Sequence, residues 1–341
     1  MRIGVLTSGG DCPGLNAVIR SVVHRGLDVH GDEILGIEDG FLGLIEGRAR
    51  PISHDDVTGL LTRGGTILGS ARVQREKIRW AVDNAQKLAA DLGIDALIAI
   101  GGEGTLTAAK LFSDAGLPVV GVPKTIDNDI EATDLTFGFD TAVHVATEAI
   151  DRLKTTAESH QRVMVVELMG RHTGWITLTA GMAGGAHGIL IPEKPFDIEV
   201  VARMIEERFE RGKKFAIIAV AEGAKPAPGT LRFDHGEVDQ YGHQTFGGIG
   251  TRLAHELEDL LGKEAKPVIL GHTQRGGTPT AFDRVLATRF GWHAVEAVHK
   301  GAFGHFTALR GTQIQLIPVG DAVTRLKTVP EDRWLESEAV L

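Results

Sequence analysis

Short runs of β-branched and aliphatic residues recur along this chain, and each is followed by a glycine-rich or polar turn and then by a helical pattern. Such alternation is typical of βαβ units, in which parallel strands are buried between helices. The predicted fold class is therefore α/β, and ligands are expected beyond the carboxyl ends of the strands. The predicted strands span residues 2–6, 96–100, 119–122, 163–167, 188–191, 215–221 and 268–271.

The size and composition of the chain exclude several classes of protein. A chain of 341 residues exceeds one hydrophobic core and predicts two domains. A net charge of −9 argues against a nucleic-acid surface, so an anionic ligand needs a local basic site. The single cysteine, Cys12, excludes an intramolecular disulfide and predicts a cytoplasmic protein. No apolar run reaches the about 18 residues of a membrane span, and the N-terminal apolar stretch is too short for a signal peptide.

Two glycine turns each lie between a predicted strand and a predicted helix. They are SGGDCPGLN at 8–16 and IGGEGTLTAAK at 100–110. Glycine lets the backbone approach a phosphate, and a helix N-terminus supplies free N–H groups. Neither turn has the G-x-G-x-x-G or G-K-[ST] pattern, so each is either a phosphate loop or a plain tight turn.

The third strand exit, VGVPKTIDND at 120–129, carries two carboxylates. Of Asp127 and Asp129, one can hold a metal while the other contacts a reacting hydroxyl. Asp and Asn also favour turns, which leaves a purely structural interpretation open. Together with the two glycine turns, the pair favours a catalytic site.

Cationic side chains lie near further glycine-bearing loops: Arg72, Arg162, Arg171 and Arg275, with His272 beside the last. The planar guanidinium group suits phosphate oxygens, so several arginines meeting at one cleft would bind a phosphorylated substrate and neutralise a transferring phosphoryl group. A single arginine is more often a solvated surface residue, and the argument depends on their number.

Seven segments in this order resemble the phosphofructokinase family over about residues 1–320: SGGDCPGLN, GGT-x-LGSAR, IGGEGT, PKTIDND, RVMVVELMGR, AEG and GHTQRGG. The resemblance implies two Rossmann-like three-layer α/β/α domains with mainly parallel sheets. It implies transfer of a phosphoryl group from ATP to the C1 hydroxyl of fructose 6-phosphate, a step of glycolysis. It also implies a homo-oligomer, either tetramer or dimer, whose substrate site is completed by the adjacent subunit.

The resemblance also implies domain boundaries. The donor domain would comprise residues 1–138 and about 251–305. The sugar-phosphate domain would comprise 139–250 and about 306–320, and residues 321–341 would form a C-terminal tail. The segment 226–250 has several turn signals and is interpreted as a loop or hairpin excursion.

By resemblance, the site residues fall into four groups. Asp127 would accept the proton, with Thr125, Arg171 and Arg72 as further catalytic residues. The ATP site would contain Gly10, Arg72, Val73, Gly102, Glu103, Gly104 and Thr105. Mg²⁺ would be held by Glu103 and Asp129. The sugar phosphate would contact Thr125, Ile126, Asp127, Met169, Gly170, Arg171, Glu222, His272, Thr273, Gln274 and Arg275, with Arg162 and Lys266 reaching it from a neighbouring subunit.

Two positions bear on the phosphoryl donor. Pyrophosphate-using members of the family typically have an acidic residue at position 104 and lysine at 124, whereas this chain combines Gly104 with Lys124. A side chain at 104 would occupy the path of the nucleotide α-phosphate, so Gly104 favours ATP. The alternative is a pyrophosphate-dependent fructose-6-phosphate 1-phosphotransferase. A more remote alternative, a NAD-binding oxidoreductase, lacks the expected glycine fingerprint.

Overall fold

Twelve strands form two separate sheets in the computed structural model, which describes residues 1–231, 233, 236 and 246–338. The strands are β1 (Arg2–Ser8), β2 (Glu33–Ile37), β3 (Ala49–Pro51), β4 (Ala96–Gly101), β5 (Val119–Thr125), β6 (Phe137–Gly138), β7 (Val163–Leu168), β8 (Gly188–Leu190), β9 (Ala216–Ala221), β10 (Ala265–Ile269), β11 (His305–Arg310) and β12 (Gln313–Pro318).

Helices follow most of these strands. They are α1 (Leu15–Arg25), α2 (Phe41–Glu46), α3 (His54–Val57), α4 (Arg75–Asp83), α5 (Ala85–Leu92), α6 (Glu103–Asp114), α7 (Phe139–His160), α8 (Trp175–Ala183), α9 (Ile198–Glu210), α10 (Ile249–Leu261), α11 (Ala281–His299), α12 (Val319–Ala322) and α13 (Glu331–Glu338). A π-helical turn, Gly26–His30, continues α1. No helix in the described part of the chain is both long and apolar enough to cross a membrane.

The first unit comprises Met1–Thr141 and Arg275–Leu326. Its sheet has the order β12-β11-β5-β4-β1-β2-β3, with β6 paired to β5, and only β12 and β3 run antiparallel to their neighbours. Along β4, Leu97 and Ala99 pack in a cluster with α4, α5 and α6. Ile98 and Ile100 point to the opposite face and are equally buried, which is the pattern of a sheet covered on both faces.

The second unit comprises Ala142–Gln274 and Lys327–Leu341. Its four strands are all parallel, in the order β10-β7-β9-β8. β7 and β9 are buried along their whole length, as the apolar runs VMVVEL and AIIAVA require. The apolar side of α10, including Ile249 and Leu253, packs in one core cluster with α9 and these strands.

The α/β prediction is confirmed, and all seven predicted strands lie within three residues of their observed bounds. The seventh, predicted at 268–271, is observed as β10, which begins three residues earlier because Ala265 and Lys266 pair with Val163 and Met164 of β7. β2, β3, β6, β11 and β12 were not predicted.

The predicted domain boundaries differ from those of the two units. Residues 306–320 form β11, β12 and α12 in the first unit, because β11 pairs with β5. Residues 251–274 belong to the second unit, because β10 pairs with β7. Within the predicted tail, 331–338 is helical. Within the predicted excursion at 226–250, residues 232, 234–235 and 237–245 lie outside the described residues.

Candidate functional site

Three neighbouring parallel strands of the first unit, β1, β4 and β5, end at the same edge of the sheet. Ser8 is paired with Gly101, and Gly101 is paired with Pro123. The two glycine turns and the PKTIDND segment leave the sheet directly after these residues. Parallel pairing therefore brings all three sequence motifs together, as expected for a ligand site of an open α/β sheet.

The first glycine turn forms one wall of a cavity of about 390 Å³. This volume is large enough for part of a nucleotide or a phosphate chain. Gly10 and Arg72, which are more than 60 residues apart in sequence, are thus brought together. The lining residues are Gly9, Gly10, Asp11, Thr66, Ser70, Ala71 and Arg72. Val73 is not among them, and its side chain packs against the core cluster beside α4.

Two polar side chains, the buried Asn16 and the exposed Ser70, hold the 63–70 loop against the first glycine turn. The Asn16 amide, which is inaccessible to solvent, donates to the carbonyl oxygens of Arg63 and Gly64 at 3.0 and 3.2 Å and accepts from Ile67 N–H at 2.9 Å. Ser70 Oγ donates to the Gly9 carbonyl at 2.6 Å. Neither residue was predicted as functional. An asparagine in the otherwise apolar first turns of α1 was the available signal.

The second glycine turn opens α6. Gly102 precedes the helix, Glu103 is its first residue, and the buried Thr105 follows in the first turn. The Glu103 carboxylate is exposed and accepts from Thr107 Oγ1 at 3.2 Å. Gly104 has an ordinary helical backbone, and a Cβ placed on it would meet no protein atom within 4 Å. The fold therefore does not require glycine at 104, and the open space there is available to a ligand.

Lys124 connects the three loops. Its side chain is buried, and Nζ donates a hydrogen bond to the Gly10 carbonyl oxygen. A Cβ placed on Gly9 would lie 3.7 Å from both Lys124 Nζ and Thr105 Oγ1. Burial lowers the pKa of Lys124, because desolvation disfavours the charged ammonium group. A bound anion would stabilise the charged form of Lys124 and so offset the cost of its desolvation.

The PKTIDND carboxylates lie directly after β5. Asp127 is buried, and its backbone N–H donates to Thr125 Oγ1 at 3.1 Å. Between the two acids, Asn128 takes a left-handed conformation with φ of 52°. Burial, and then the charge of Asp127, raise the pKa of Asp129 to about 7, and Glu103 contributes in the same direction. Ile126 is fully buried, so only its backbone can contact a substrate.

This cluster of acids fits a hard divalent cation. Asp129 Oδ1 is shielded from solvent and accepts no hydrogen bond from the described residues. An unsatisfied buried carboxylate oxygen beside further carboxylates is costly unless a cation or proton compensates it. Carboxylate oxygens are the ligands that Mg²⁺ prefers. The unsatisfied Asp129 oxygen suits such a cation, and Mg²⁺ binding by Glu103 and Asp129 stays a prediction.

In the second unit, the residues after β7 and β9 form one compact arrangement. Met169, Gly170 and Arg171 leave β7, and Arg171 N–H donates to Glu222 Oε1 at 3.1 Å. Arg171 has a positive φ of 52°, which is uncommon for a non-glycine residue. A Cβ on Gly223 would lie only 1.7 Å from the Arg171 carbonyl oxygen, so glycine is required there. Met169, Gly170, Arg171 and Glu222 are thus brought together as predicted.

The GHTQRGG segment is divided between the two units, with Gln274 ending its part in the second and Arg275 beginning its part in the first. Buried Gln274 accepts from Met169 N–H at 3.3 Å and donates to the Gly271 carbonyl at 3.1 Å, which fixes the turn beside the β7 exit. His272 and Thr273 in that turn are exposed. Arg275 belongs to the first unit, where Nη1 donates to the Asp11 carbonyl at 3.2 Å and lies near Gly10. Its guanidinium group therefore lies at the first glycine turn.

Arg162 and Lys266 lie at the opposite end of the second sheet from Met169 and Arg171. Both form ion pairs with Glu264, and Lys266 Nζ is 3.2 Å from its carboxylate. Hydrogen bonding from Lys266, and also from Arg162, lowers the pKa of Glu264. Seven residues of extended chain separate Arg162 from Met169, or about 23 Å. These two cations therefore do not join the β7-exit group within one chain.

Comparisons with known proteins identify the family. A family model described as Phosphofructokinase matches residues 2–298. The chain belongs to the phosphofructokinase family. It is 68% identical over 340 residues to ATP-dependent 6-phosphofructokinase 2 of Streptomyces coelicolor, covering 100% of both chains. It is 60% identical to the pyrophosphate–fructose 6-phosphate 1-phosphotransferase of Amycolatopsis methanolica, covering 99% of both.

A solved phosphofructokinase structure has the same fold as this chain. A crystal structure of Pichia pastoris phosphofructokinase in the T-state superposes with a TM-score of 0.83 at 33% identity. The match covers 99% of this chain and 36% of the Pichia chain, so this chain spans about a third of that protein's length. The family and the fold implied by the sequence motifs are confirmed.

Proposed function

We propose that this phosphofructokinase is an ATP-dependent 6-phosphofructokinase, which transfers the γ-phosphoryl group of ATP to the C1 hydroxyl of fructose 6-phosphate in glycolysis. The observation that carries the proposal is the convergence of Gly10, Gly104, Lys124 and the Asp127–Asp129 segment at one edge of the first sheet. We also propose a cytoplasmic location, which the single, unpaired cysteine supports.

Phosphoryl transfer depends mainly on positioning and on stabilising charge. In the proposed donor site, the backbone of Gly10 and of Gly102–Thr105 holds the phosphates, and Arg72 at the cavity wall contacts them as a cation. Val73, whose side chain packs partly against the core cluster, is proposed to add an apolar contact to the nucleotide. The N-terminus of α6 adds a favourable dipole for the same anion.

In the proposed reaction, Asp127 accepts the proton of the C1 hydroxyl, and Thr125 and Ile126 position the segment that carries it. Glu103 and Asp129 would hold Mg²⁺. A bound Mg²⁺ supplies positive charge that neutralises the transferring phosphoryl group. Because Asp127 is buried, water has little access to the carboxylate that must take the proton.

The sugar phosphate is proposed to bind to Met169, Gly170, Arg171 and Glu222, together with His272, Thr273 and Gln274. Glu222 is suited to accept hydrogen bonds from sugar hydroxyls, and the Arg171 guanidinium group is suited to phosphate oxygens. Arg275 was predicted to contact the sugar phosphate. Because it lies at the first glycine turn, we propose instead that it stabilises charge near the donor phosphates.

Arg162 and Lys266 are proposed to contact the 6-phosphate bound by an adjacent subunit. Their location at the opposite end of the second sheet supports this, since about 23 Å is too far for a side chain to span. The active enzyme is therefore proposed to be a homo-oligomer, a dimer or a tetramer, with sites shared between subunits.

A second candidate donor is pyrophosphate. Lys124 favours it, because a buried ammonium group bonded to the Gly10 carbonyl places a cation beside a short phosphate chain. Gly104 favours ATP, because the space beside it is open. ATP is the proposed donor, and the relatives at 68% and 66% identity are named ATP-dependent enzymes.

A coupled assay tests the proposal directly. Purified protein is incubated with fructose 6-phosphate, Mg²⁺ and either ATP or pyrophosphate, and fructose 1,6-bisphosphate is measured. The expected result is turnover with ATP that far exceeds turnover with pyrophosphate. Faster turnover with pyrophosphate would reverse the donor assignment, and product from neither donor would contradict the proposed activity.

A further inference from the structure

Three potential metal ligands meet on the surface of the first unit, outside the proposed ATP and sugar sites. Asp28 Oδ2 lies 3.2 Å from His24 Nδ1, and Asp28 Oδ1 lies 2.7 Å from His54 Nε2. Among the described residues, this is the one group of three His, Cys, Asp or Glu side chains whose ligand atoms all lie within 4.8 Å of one another.

The backbone preorganises this group. His24 is in the last turn of α1, and Asp28 lies four residues later in the π-helical turn, so the two side chains share one helical face. His54 is the first residue of α3, which packs against α1. A capping box between Ser53 and Asp56 fixes the start of α3. Only side-chain rotations are needed to bring the three ligands onto one ion.

The distances are close to those of a metal site. Zinc–nitrogen bonds are about 2.0–2.1 Å, which places tetrahedral ligand atoms about 3.3 Å apart. Of the two Asp28 contacts, the 3.2 Å separation from His24 Nδ1 is close to that spacing and the 2.7 Å separation from His54 Nε2 is shorter. The centroids of the two imidazole rings are 5.1 Å apart. The side chains are 37%, 50% and 48% exposed, so they can move and water can complete the coordination.

The donor set selects the type of ion. Two imidazole nitrogens and one carboxylate suit borderline transition metals such as Zn²⁺ and Co²⁺, whereas Mg²⁺ and Ca²⁺ prefer oxygen ligands. We propose that His24, Asp28 and His54 form a surface site for one divalent transition-metal ion, with Zn²⁺ as its representative. The bound ion would join the end of α1 to the start of α3.

The test measures metal uptake by the metal-stripped full-length protein. Equilibrium dialysis against Zn²⁺, with excess Mg²⁺ present to occupy oxygen sites, should give one tightly held Zn²⁺ per chain. His54→Gln and Asp28→Asn should each weaken this binding at least tenfold, since even changes beside a ligand cost about 10- to 100-fold. His160→Gln removes an exposed imidazole outside the cluster and should leave binding unchanged.

Two further measurements exclude trivial results. Circular dichroism should show that the variants fold, as expected for exposed side chains, and Zn²⁺ should raise the melting temperature of the wild type but not of either variant. Cys12 does not compete for the ion, because it is buried and burial raises the pKa of its thiol to about 12. A wild type that retains no more Zn²⁺ than a His24→Gln/His54→Gln double variant would overturn the proposal.

Discussion

The two units keep their charged groups in contrasting environments. At the strand ends of the first unit, Lys124 and Asp127 are only 3% and 6% exposed. In the second unit, the side chains of Arg162 and Lys266 are 30% and 45% exposed and share the Glu264 carboxylate. The first arrangement isolates charges from water, and the second leaves them hydrated.

This difference in burial predicts which substitutions should change turnover and which should change substrate affinity. A buried charge interacts strongly with a ligand but is costly when its partner is lost. An exposed ion pair contributes about 0–1 kcal/mol to stability, so changing it leaves the fold intact. Substitutions in the first unit should therefore act mainly on turnover and donor choice, and substitutions at the exposed pair mainly on sugar-phosphate affinity.

The largest effect is expected for Asp127→Asn. The amide cannot accept the C1 hydroxyl proton, so kcat should fall by about 10²- to 10⁴-fold while the KM for fructose 6-phosphate changes little. Steady-state kinetics with ATP measures both. Asp134→Asn, the same change at an exposed carboxylate nearby in sequence, should keep normal turnover. Normal kcat in Asp127→Asn would remove this residue from the proposed reaction.

The next effect concerns the phosphoryl donor. Gly104→Asp would place a carboxylate in open space beside the donor site, and like-charge juxtaposition of about 3 kcal/mol would cost about 100-fold in kcat/KM for ATP. An acidic residue in the first turn of α6 favours the helix dipole, so loss of folding is not expected. Activity with pyrophosphate should be retained, and Gly104→Ala should have an intermediate effect on ATP.

Donor assays of the three proteins provide the measurement for position 104. If Gly104→Asp used ATP as well as the wild type does, the steric and electrostatic role of this position would be wrong. A parallel loss with both donors would instead indicate damage to the whole phosphate site.

The sequence predicted the central strands because the pattern that marks a buried strand lies within the strand's own residues. β1, β4, β5, β7 and β9 are mainly apolar runs buried on both faces. Such a run predicts a strand without knowledge of the strands beside it. The strand β11 was missed, and its segment was assigned to the wrong unit. Its place is set by pairing with β5 through His305 and Phe306, nearly 190 residues away in sequence, which no local pattern records.

The site residues likewise divide into those marked by local motifs and those placed by contacts between distant parts of the chain. Gly10, Glu103 and Asp127 lie in contiguous motifs, and the structure places those motifs at one sheet edge. Asn16 and Ser70 act through hydrogen bonds to residues about 50 to 60 positions away, so their contribution appears only in three dimensions. The location of Arg275 beside Gly10 likewise depends on a contact across 264 residues.

A smaller effect is expected for Arg162→Ala. If Arg162 contacts the 6-phosphate from an adjacent subunit, losing a charge-assisted hydrogen bond of about 1.5–3 kcal/mol should raise the KM for fructose 6-phosphate about 10- to 100-fold. The kcat at saturating sugar phosphate should change little. Arg211→Ala removes another arginine that is paired with a glutamate, directly after the end of α9, and should leave KM unchanged. An unchanged KM in Arg162→Ala would exclude the shared site.

The smallest effect is expected for Lys266→Arg, and it has the opposite sign. Lysine offers a point charge, whereas the guanidinium fork can bind two phosphate oxygens, so KM for fructose 6-phosphate should fall by about two- to fivefold. The Lys266 side chain is nearly half exposed, which leaves room for the larger group without disturbing β10. Lys263→Arg, three residues earlier at a position that faces Phe209, should not change KM. Because stability is expected to be equal in both variants, a lower KM in Lys266→Arg alone would show that this hydrated cation acts in binding, whereas an unchanged or higher KM would place it outside the sugar-phosphate site.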